Sequence, residues 1–392
     1  MQTLAPANEA EVAAMVADAA ASKTTLQIEG NASKRGLGRP VDTDAVLNLS
    51  GVSGIVSYEP EELVITARPG TRLEEIERTL ARQKQCLAFE PNRWSLSGTA
   101  TIGGTVAAGV AGSRRVVLGG ARDHLIGFRA VNGEGQSFKA GGKVVKNVTG
   151  YDLPKLAAGS FGTLFAMTEL TLRTYPHAGM PLTLVAENLD VDAGCALMRR
   201  VAGSRFEATG FCYLPRTAIE RMDLDLSAGG QRPVSLTLVR FEGTRESVEV
   251  RSNACGKELG VASTTLSGSA SDELWRKLQQ LKAFDAARIV WRISLPPSAA
   301  IGAISALAPE CFVADWAGGL LWIEPGARSP ADVHAVAQSF GGHAMLFRGP
   351  DEMRRGNVFQ PLDAVTAALT TRLKAAFDPL GVFNPGRMYD GI

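Results

Sequence analysis

The chain has 392 residues, 45% hydrophobic and 21% charged, a soluble globular composition spread over more chain than one core usually holds, so two domains are expected. Lys and Arg number 41 against 40 Asp and Glu, a balance that argues against wholesale nucleic-acid binding. The five cysteines, at 86, 195, 212, 255 and 311, form no Cys-x-x-Cys pair, so no zinc ribbon or iron–sulfur cluster is encoded and free thiols in a reducing cytoplasm are expected. The N-terminus lacks a basic leader and nothing approaches a membrane-spanning apolar run, so Asn-x-Ser/Thr matches at Asn31, Asn48 and Asn147 carry no meaning.

In chain order, residues 8–21 read as a helix. Asn8 and Glu11 have capping-box spacing, and Val12, Met15, Val16 and Ala19 share a face. Leu26–Glu29 alternates like a strand and runs into the polar loop Gly30–Lys34. Val64–Ala67 is a second strand, ended by Pro69-Gly70. Thr71 and Glu74 are expected to cap a helix that turns Leu73, Ile76 and Leu80 inward. A glycine-rich stretch, SGTATIGGTVAAGVAGSRR, covers 97–115. Residues 126–131 and 136–139 read as a hairpin about Asn132-Gly133, and 165–175 as a further strand. Composition shifts near Pro176–Pro181, the expected domain boundary. Beyond it, strand-like runs at 183–186, 234–239, 288–293 and 320–323 mix with helices. A last helix, 362–377, aligns Val365, Leu369, Leu373 and Phe377 and stops at Pro379 and Gly381.

Glycine-rich loops suit a pyrophosphate, which needs inward N–H groups and no Cβ atoms in the way. Gly103 and Gly104 in Thr101–Ala107 are expected to open a turn, with a helix starting against the phosphates. Gly109 and Gly112 keep the next turn close, and Gly30–Lys34 approaches from the other side with Asn31 and Ser33 as donors. The Rossmann pattern G-x-G-x-x-G is absent after the first strand: Gly36-Leu37-Gly38 lacks the third glycine. The nucleotide-triphosphate loop is absent too, since Gly141-Gly142-Lys143 is followed by Val. A double glycine alone reads more readily as a tight structural turn, and the spacing of several such loops on one chain strengthens the cofactor reading without settling it.

The order of motifs resembles the FAD-binding domain of the vanillyl-alcohol-oxidase and p-cresol-methylhydroxylase family. The matching segments are Gly30–Lys34, Pro69-Gly70-Thr71, Ala100–Gly112, Arg122-Asp123 with Leu125–Gly127, and Gly159–Thr168. ATIGGTVAAGVAGSRR, RDHLIGFRAVNGEGQ, GGKVVKNVTGYDLPKLAAGSFGTL and the closing FDPLGVFNPGRMY resemble, more closely, the smaller FAD-binding subunits of bacterial glycolate oxidases. The likeness is strong over 25–175 and the last fifteen residues and weak over 180–360. It implies an α+β fold: a two-lobed flavin domain over 1–176, an α+β cap over 177–360, and a tail, 361–392, returning to the flavin domain. It nominates Gly30, Asn31, Ala32, Ser33, Lys34, Pro69, Gly70, Thr71, Thr101, Ile102, Gly103, Gly104, Ala107, Gly112, Gly162, Thr163 and Ala166 for FAD. Asn384 of the closing Asn-Pro-Gly either faces the flavin ring or is a turn residue.

Departures from the family carry information. The first loop has Asn31, Ala32 and Ser33 where many relatives place a tethering histidine, so non-covalent FAD is expected, with His124 in a structural role. Phe161 replaces the acid of G-S-E-G-T-L. The cap lacks the metal motif H-x-G-D-G-N-x-H of catalytic relatives and keeps only His334 and His343, so no metal is expected and no catalytic residue is assigned. Lys143, Lys146 and Tyr151 are open to a substrate-carboxylate or a flanking role, Arg114-Arg115 to a phosphate or an ion-pair role, and Trp94, beside Asn92-Arg93, is the tryptophan singled out for flavin contact. The resemblance implies an FAD-binding subunit of a complex oxidising glycolate to glyoxylate. Its partners would be a catalytic flavin subunit and an iron–sulfur subunit, in the cytoplasm or peripheral on the inner membrane through the complex. An independent FAD oxidoreductase and a cofactor-free scaffold subunit are the alternatives.

Overall fold

A computed structural model describes residues 2–91, 99–142, 151–224, 233–260 and 262–392. The chain forms two compact units, one of Met1–Ala111, Gly119–His177 and Arg354–Ile392, the other of Gly112–Leu118 and Ala178–Met353. This differs from the expected division in two respects: the tail segment begins at Arg354, and Gly112–Leu118 belongs to the second unit.

The first unit has two sheets. A parallel three-stranded sheet places Ala45–Asn48 between Gln2–Leu4 and Leu26–Glu29. An antiparallel five-stranded sheet runs Ile55–Glu59, Val64–Ala67, Ala166–Arg173, Leu125–Val131, Ser137–Gly141. Helix Glu9–Ser22 is capped at the expected residue: Asn8 Oδ1 accepts the Glu11 N–H at 3.0 Å, but the Glu11 carboxylate accepts the Ala7 N–H, at 2.9 Å, where a capping box would take that of Asn8. Its buried residues Val12, Val16 and Ala19 join Leu26, Leu47, Val131 and Phe383 in one core. The helix Leu73–Arg82 turns Leu73, Ile76 and Leu80 inward, but Thr71 does not cap it. The Thr71 hydroxyl bonds Gly54 and Arg68 instead, which pins the preceding turn.

The C-terminal helix is Ala364–Phe377. Leu373 and Phe377 pack on the first unit's core, whereas Val365 and Leu369 are 70% and 52% exposed, so only the second half of the expected inward row is covered. Lys374 anchors this half. Its ammonium donates to Asp378 at 2.5 Å, to the Thr163 carbonyl at 2.6 Å and to the Phe383 carbonyl at 2.9 Å. Asp378 in turn accepts the N–H groups of Val382 and Phe383. This buried, fully bonded pair fixes the path into Asn-Pro-Gly.

The second unit is built on one eight-stranded sheet whose neighbouring strands are all antiparallel. Met180–Glu187, Ser235–Gly243, Val290–Ser294 and Leu320–Glu324 fall where alternation predicted strands; Gly210–Pro215, Ser263–Ser267, Cys311–Asp315 and His343–Arg348 were not foreseen. Inside it, Arg114 forks onto Glu242 beside Arg240. No helix of the described residues is long and apolar enough to cross a membrane.

Candidate functional site

In the first unit, the loop after strand Leu26–Glu29 borders a cleft with two lobes. The polar lobe, about 540 Å³, is lined by Glu29 to Arg35, Thr101, Gly104, Ala107, Phe161 and Arg387 among others. The adjoining apolar lobe, about 450 Å³, adds Leu49, Pro69, Gly103, Gly162, Phe165 and Met167. Ile28, Gly30, Thr101, Gly104, Ala107 and Phe161 border both, so the lobes are continuous.

The helix start expected to meet phosphate is already bonded. The Ile102 and Gly103 N–H groups donate to the Thr71 and Pro69 carbonyls, both at 2.9 Å, and Gly104 faces its own cap, Thr101 Oγ1, at 3.4 Å. Pro69, Gly70 and Thr71 are therefore a buried brace for this helix, with only Pro69 reaching the cleft. A Cβ on Gly70 would collide with the Leu49 carbonyl, and one on Gly103 would lie 2.6 Å from Pro69. These two glycines serve close packing. Gly104 differs: a Cβ there would meet only Thr101 Oγ1, at 3.4 Å, so its missing side chain keeps the cleft open.

The available donors are instead in the first loop. The main-chain N–H groups of Asn31, Ala32 and Ser33 make no hydrogen bond among the described residues. Ala32 has φ 53°, the left-handed region, where a non-glycine residue is strained by about 1–2 kcal/mol. Consecutive N–H groups around a left-handed residue form an anion-binding concavity, and strained backbone of this kind is kept where function needs it. The Asn31 side chain is not the donor that the sequence suggested: it donates to the Thr99 carbonyl at 2.9 Å and holds the loop's shape.

Two cations stand beside these donors. Burial lowers the Lys34 ammonium to about 8. Arg387 is lowered to about 10, first by burial and then by the like charges of Arg354 and Arg35. Its Nη2 donates to the Lys34 and Arg35 carbonyls, and Arg354 donates to those of Arg35 and Gly38. Arg35 itself pairs with Glu29 at 2.6 Å. The polar lobe thus combines main-chain donors with desolvated positive charge, and the second lobe is apolar. A pyrophosphate joined to flat ring systems has that same division, so FAD fits these residues.

The remaining expected site residues stand behind the cleft. Asn384 is 3% exposed and its amide is fully engaged: Oδ1 accepts the Ile28 N–H at 3.0 Å and Nδ2 donates to the Phe161 and Gly162 carbonyls. It joins the tail to two cleft walls and does not present its amide to a ligand. Ile102, Thr163 and Ala166 are buried in the core. Gly112 belongs to the second unit, where its carbonyl accepts the Trp316 indole N–H at 3.1 Å. Sequence reasoning missed Arg387 and gave Phe161 only as a lost acid; Phe161 lines both lobes and meets Phe359 edge-on at 5.1 Å. His124 is fully buried against Phe89 and Tyr175. His334 lies edge-on to Trp291 at 5.0 Å. Among the described residues, no three His, Cys, Asp or Glu side chains gather as a metal site. Tyr151 is 95% exposed; Trp94, Lys143 and Lys146 lie outside the described residues.

A family model described as "FAD binding domain" matches residues 2–141. Glycolate oxidase subunit GlcE of Escherichia coli (strain K12) is 35% identical over 95% of each chain. Glycolate oxidase subunit GlcD of Bacillus subtilis (strain 168) is 24% identical over 89% of this chain and 80% of its own. Among solved structures, p-cresol methylhydroxylase with substrate bound superposes with a TM-score of 0.72 at 15% identity, covering 99% of this chain and 88% of that one; it shares the fold. By its near full-length likeness to GlcE, the chain belongs to the family of that glycolate oxidase subunit and carries an FAD-binding domain.

Proposed function

We propose that the chain is the FAD-binding subunit of a complex that oxidises glycolate to glyoxylate, auxiliary to a catalytic flavin subunit and passing electrons to an iron–sulfur subunit. The observation that carries this reading is the 35% identity to GlcE over 95% of both chains, in a chain whose cleft suits FAD. The Asn31–Ser33 donors, Lys34 and Arg387 hold the pyrophosphate. Leu49, Pro69, Phe161, Phe165 and Met167 keep water from the rings. When bound, FAD supplies a reversible two-electron acceptor. No histidine or cysteine stands among the described cleft residues, which supports non-covalent attachment. The auxiliary role is supported by the cap histidines, packed or strand-borne rather than gathered with acids. The need for a separate iron–sulfur chain is supported by five dispersed cysteines, four of them buried. The complex works in the cytoplasm, and this chain reaches the inner membrane only through its partners.

The test has two steps. The purified chain should show flavin absorption and release FAD on acid precipitation; a colourless chain that takes up no added FAD refutes the cofactor reading. The complex is then reconstituted with Gly104→Leu, which adds a side chain at a cleft-lining position where a Cβ would meet only Thr101 Oγ1. Lost turnover with the complex still assembled supports electron transfer through this FAD; unchanged turnover leaves a scaffold role.

A further inference from the structure

The strand that leads into the first loop ends in an acid with one oxygen unengaged. Glu29 closes strand Leu26–Glu29. Its side chain is 12% exposed and lines both lobes of the cleft. Among the described residues that border both lobes, Glu29 alone carries a charge.

The two carboxylate oxygens differ. Oε2 accepts from Arg35 Nη2 at 2.6 Å and from Gln27 Nε2 at 3.3 Å. Gln27 lies two residues back on the same strand and is buried, so the carboxylate is held from within the sheet and from the loop. Oε1 accepts no hydrogen bond among the described residues. Each carboxylate oxygen offers about two acceptor sites, and Oε1 therefore has room for a donor. The charge of Glu29 is balanced. Arg35 pairs with it, and it is close enough to Arg387 to oppose the lowering of that group by burial and by like charges. A balanced acid does not drive off the pyrophosphate that the Asn31–Ser33 donors and Lys34 suit, and it remains a strong acceptor for a neutral hydroxyl.

We propose that Glu29 Oε1 accepts a sugar hydroxyl of the bound dinucleotide. The hydroxyl-bearing carbons of FAD lie between its pyrophosphate and each of its ring systems. They join the charged part of the molecule to its apolar parts, and Glu29 borders the polar and the apolar lobe alike. An acid beyond a strand takes a ribose hydroxyl in another class of dinucleotide site. The hydroxyl belongs to the adenosine ribose or to the ribityl chain, and its chemistry is the same in both. The inference rests on the cofactor reading and adds to it a residue that selects the hydroxylated linker.

Three dinucleotides of equal charge test it on the purified apo-chain: FAD, FAD lacking both ribose hydroxyls on its adenosine side, and FAD lacking the hydroxyls of its ribityl chain. Binding is read by calorimetry, and the melting temperature of each variant is recorded. The wild-type chain should bind at least one analogue about tenfold or more weakly than FAD, the value of a hydrogen bond to a charged group. In Glu29→Met, which has no acceptor at this oxygen, that preference should vanish, and the analogue for which it vanishes tells which sugar Glu29 meets. In Glu29→Gln, which keeps the shape and a neutral acceptor, the preference should shrink about fivefold. Because the three ligands carry the same charge, the preference is blind to what Glu29 does to the phosphates, and a merely structural role would weaken all three together. Wild-type binding of both analogues as tight as that of FAD, or a preference unchanged in Glu29→Gln, would overturn the proposal. A chain that binds FAD without this discrimination refutes the proposal alone; one that takes up no FAD refutes the cofactor reading and this one with it.

Discussion

Raising the pH from 7 to 9 should loosen FAD about tenfold, and Lys34 should be the cause. Burial holds its ammonium at about 8 in the folded chain, below its ordinary 10.5. A pyrophosphate beside it favours the charged form and returns the group towards its ordinary range. Binding therefore takes up a proton wherever free Lys34 is neutral. Below pH 8 the lysine is already charged and affinity is nearly flat; above it, affinity falls about tenfold per pH unit. The assay is titration of the apo-chain with FAD, followed by flavin fluorescence at pH 7, 8 and 9 and constant ionic strength. Lys34→Arg keeps its charge throughout and should flatten the profile, because Arg387, at about 10, also stays charged. Lys34→Met should be flat as well and roughly 10–100-fold weaker at pH 7, the value of one charge-assisted contact at about 1.5–3 kcal/mol. The apo-chain should respond in the opposite sense. With the folded value below the unfolded one, the unfolded chain holds the extra proton between about 8 and 10.5, so stability rises with pH through that window. An affinity unchanged from pH 7 to 9, or an identical fall in Lys34→Arg, would refute the argument.

Lys374→Met should destabilise the first unit by about 3–5 kcal/mol in thermal melts, because it strands the buried Asp378 carboxylate, and Lys374→Met with Asp378→Asn should lose less than the single change. In the second unit, burial alone would raise Glu242, but Arg240 and Arg114 outweigh it and bring it to about 2. Its contribution, up to roughly 3 kcal/mol, is then complete above pH 4.5 and fades towards pH 2, and Glu242→Gln should flatten that acid limb. Gly103→Leu should lower the melting temperature of the apo-chain because its Cβ meets Pro69, whereas Gly104→Leu should leave apo stability nearly unchanged and abolish FAD uptake.

What the sequence made legible follows from how local each signal was. The helix at Glu9–Ser22 has its cap, acid and apolar period within fifteen residues; the cap and the period act as read, and the acid bonds one residue further out, at the Ala7 N–H. Strand Gly210–Pro215 is buried along almost its whole length and begins and ends in Gly and Pro, so it shows no alternation and was passed over. Cys311–Asp315 ends in a buried acid whose partner, Ser113, lies some 200 residues away. Periodicity found the face of the C-terminal helix, but not that only Leu373 and Phe377 would be covered. At the site, the glycines pointed to loops that border the cleft and left open which were needed for a ligand. That distinction rests on what a Cβ would touch, which is tertiary information. Arg387 follows directly on the Asn-Pro-Gly turn, the one local hint that a cation there is held in a fixed position.

The cleft is assembled from chain segments far apart in sequence, the first loop, residues 101–108, residues 161–167 and the tail among them, and their bonding couples cofactor affinity to the tail. Arg354 and Arg387 donate to carbonyls of the first loop, while Asn384 bonds Ile28, Phe161 and Gly162 on its walls. These bonds turn the loop's carbonyls towards the tail, and its N–H groups at Asn31 to Ser33 remain without partners. A tail that undocked would release the carbonyls, and the loop could relieve the strain at Ala32. The left-handed residue, the converging cations and the open donors are therefore one arrangement, held in place by the C-terminal segment and compensated when an anion arrives. Such coupling stabilises the docked tail by the free energy of FAD binding, about 2.7 kcal/mol at a hundred times Kd, so protection from proteolysis should extend over residues 378–392, beyond the residues that line the cleft.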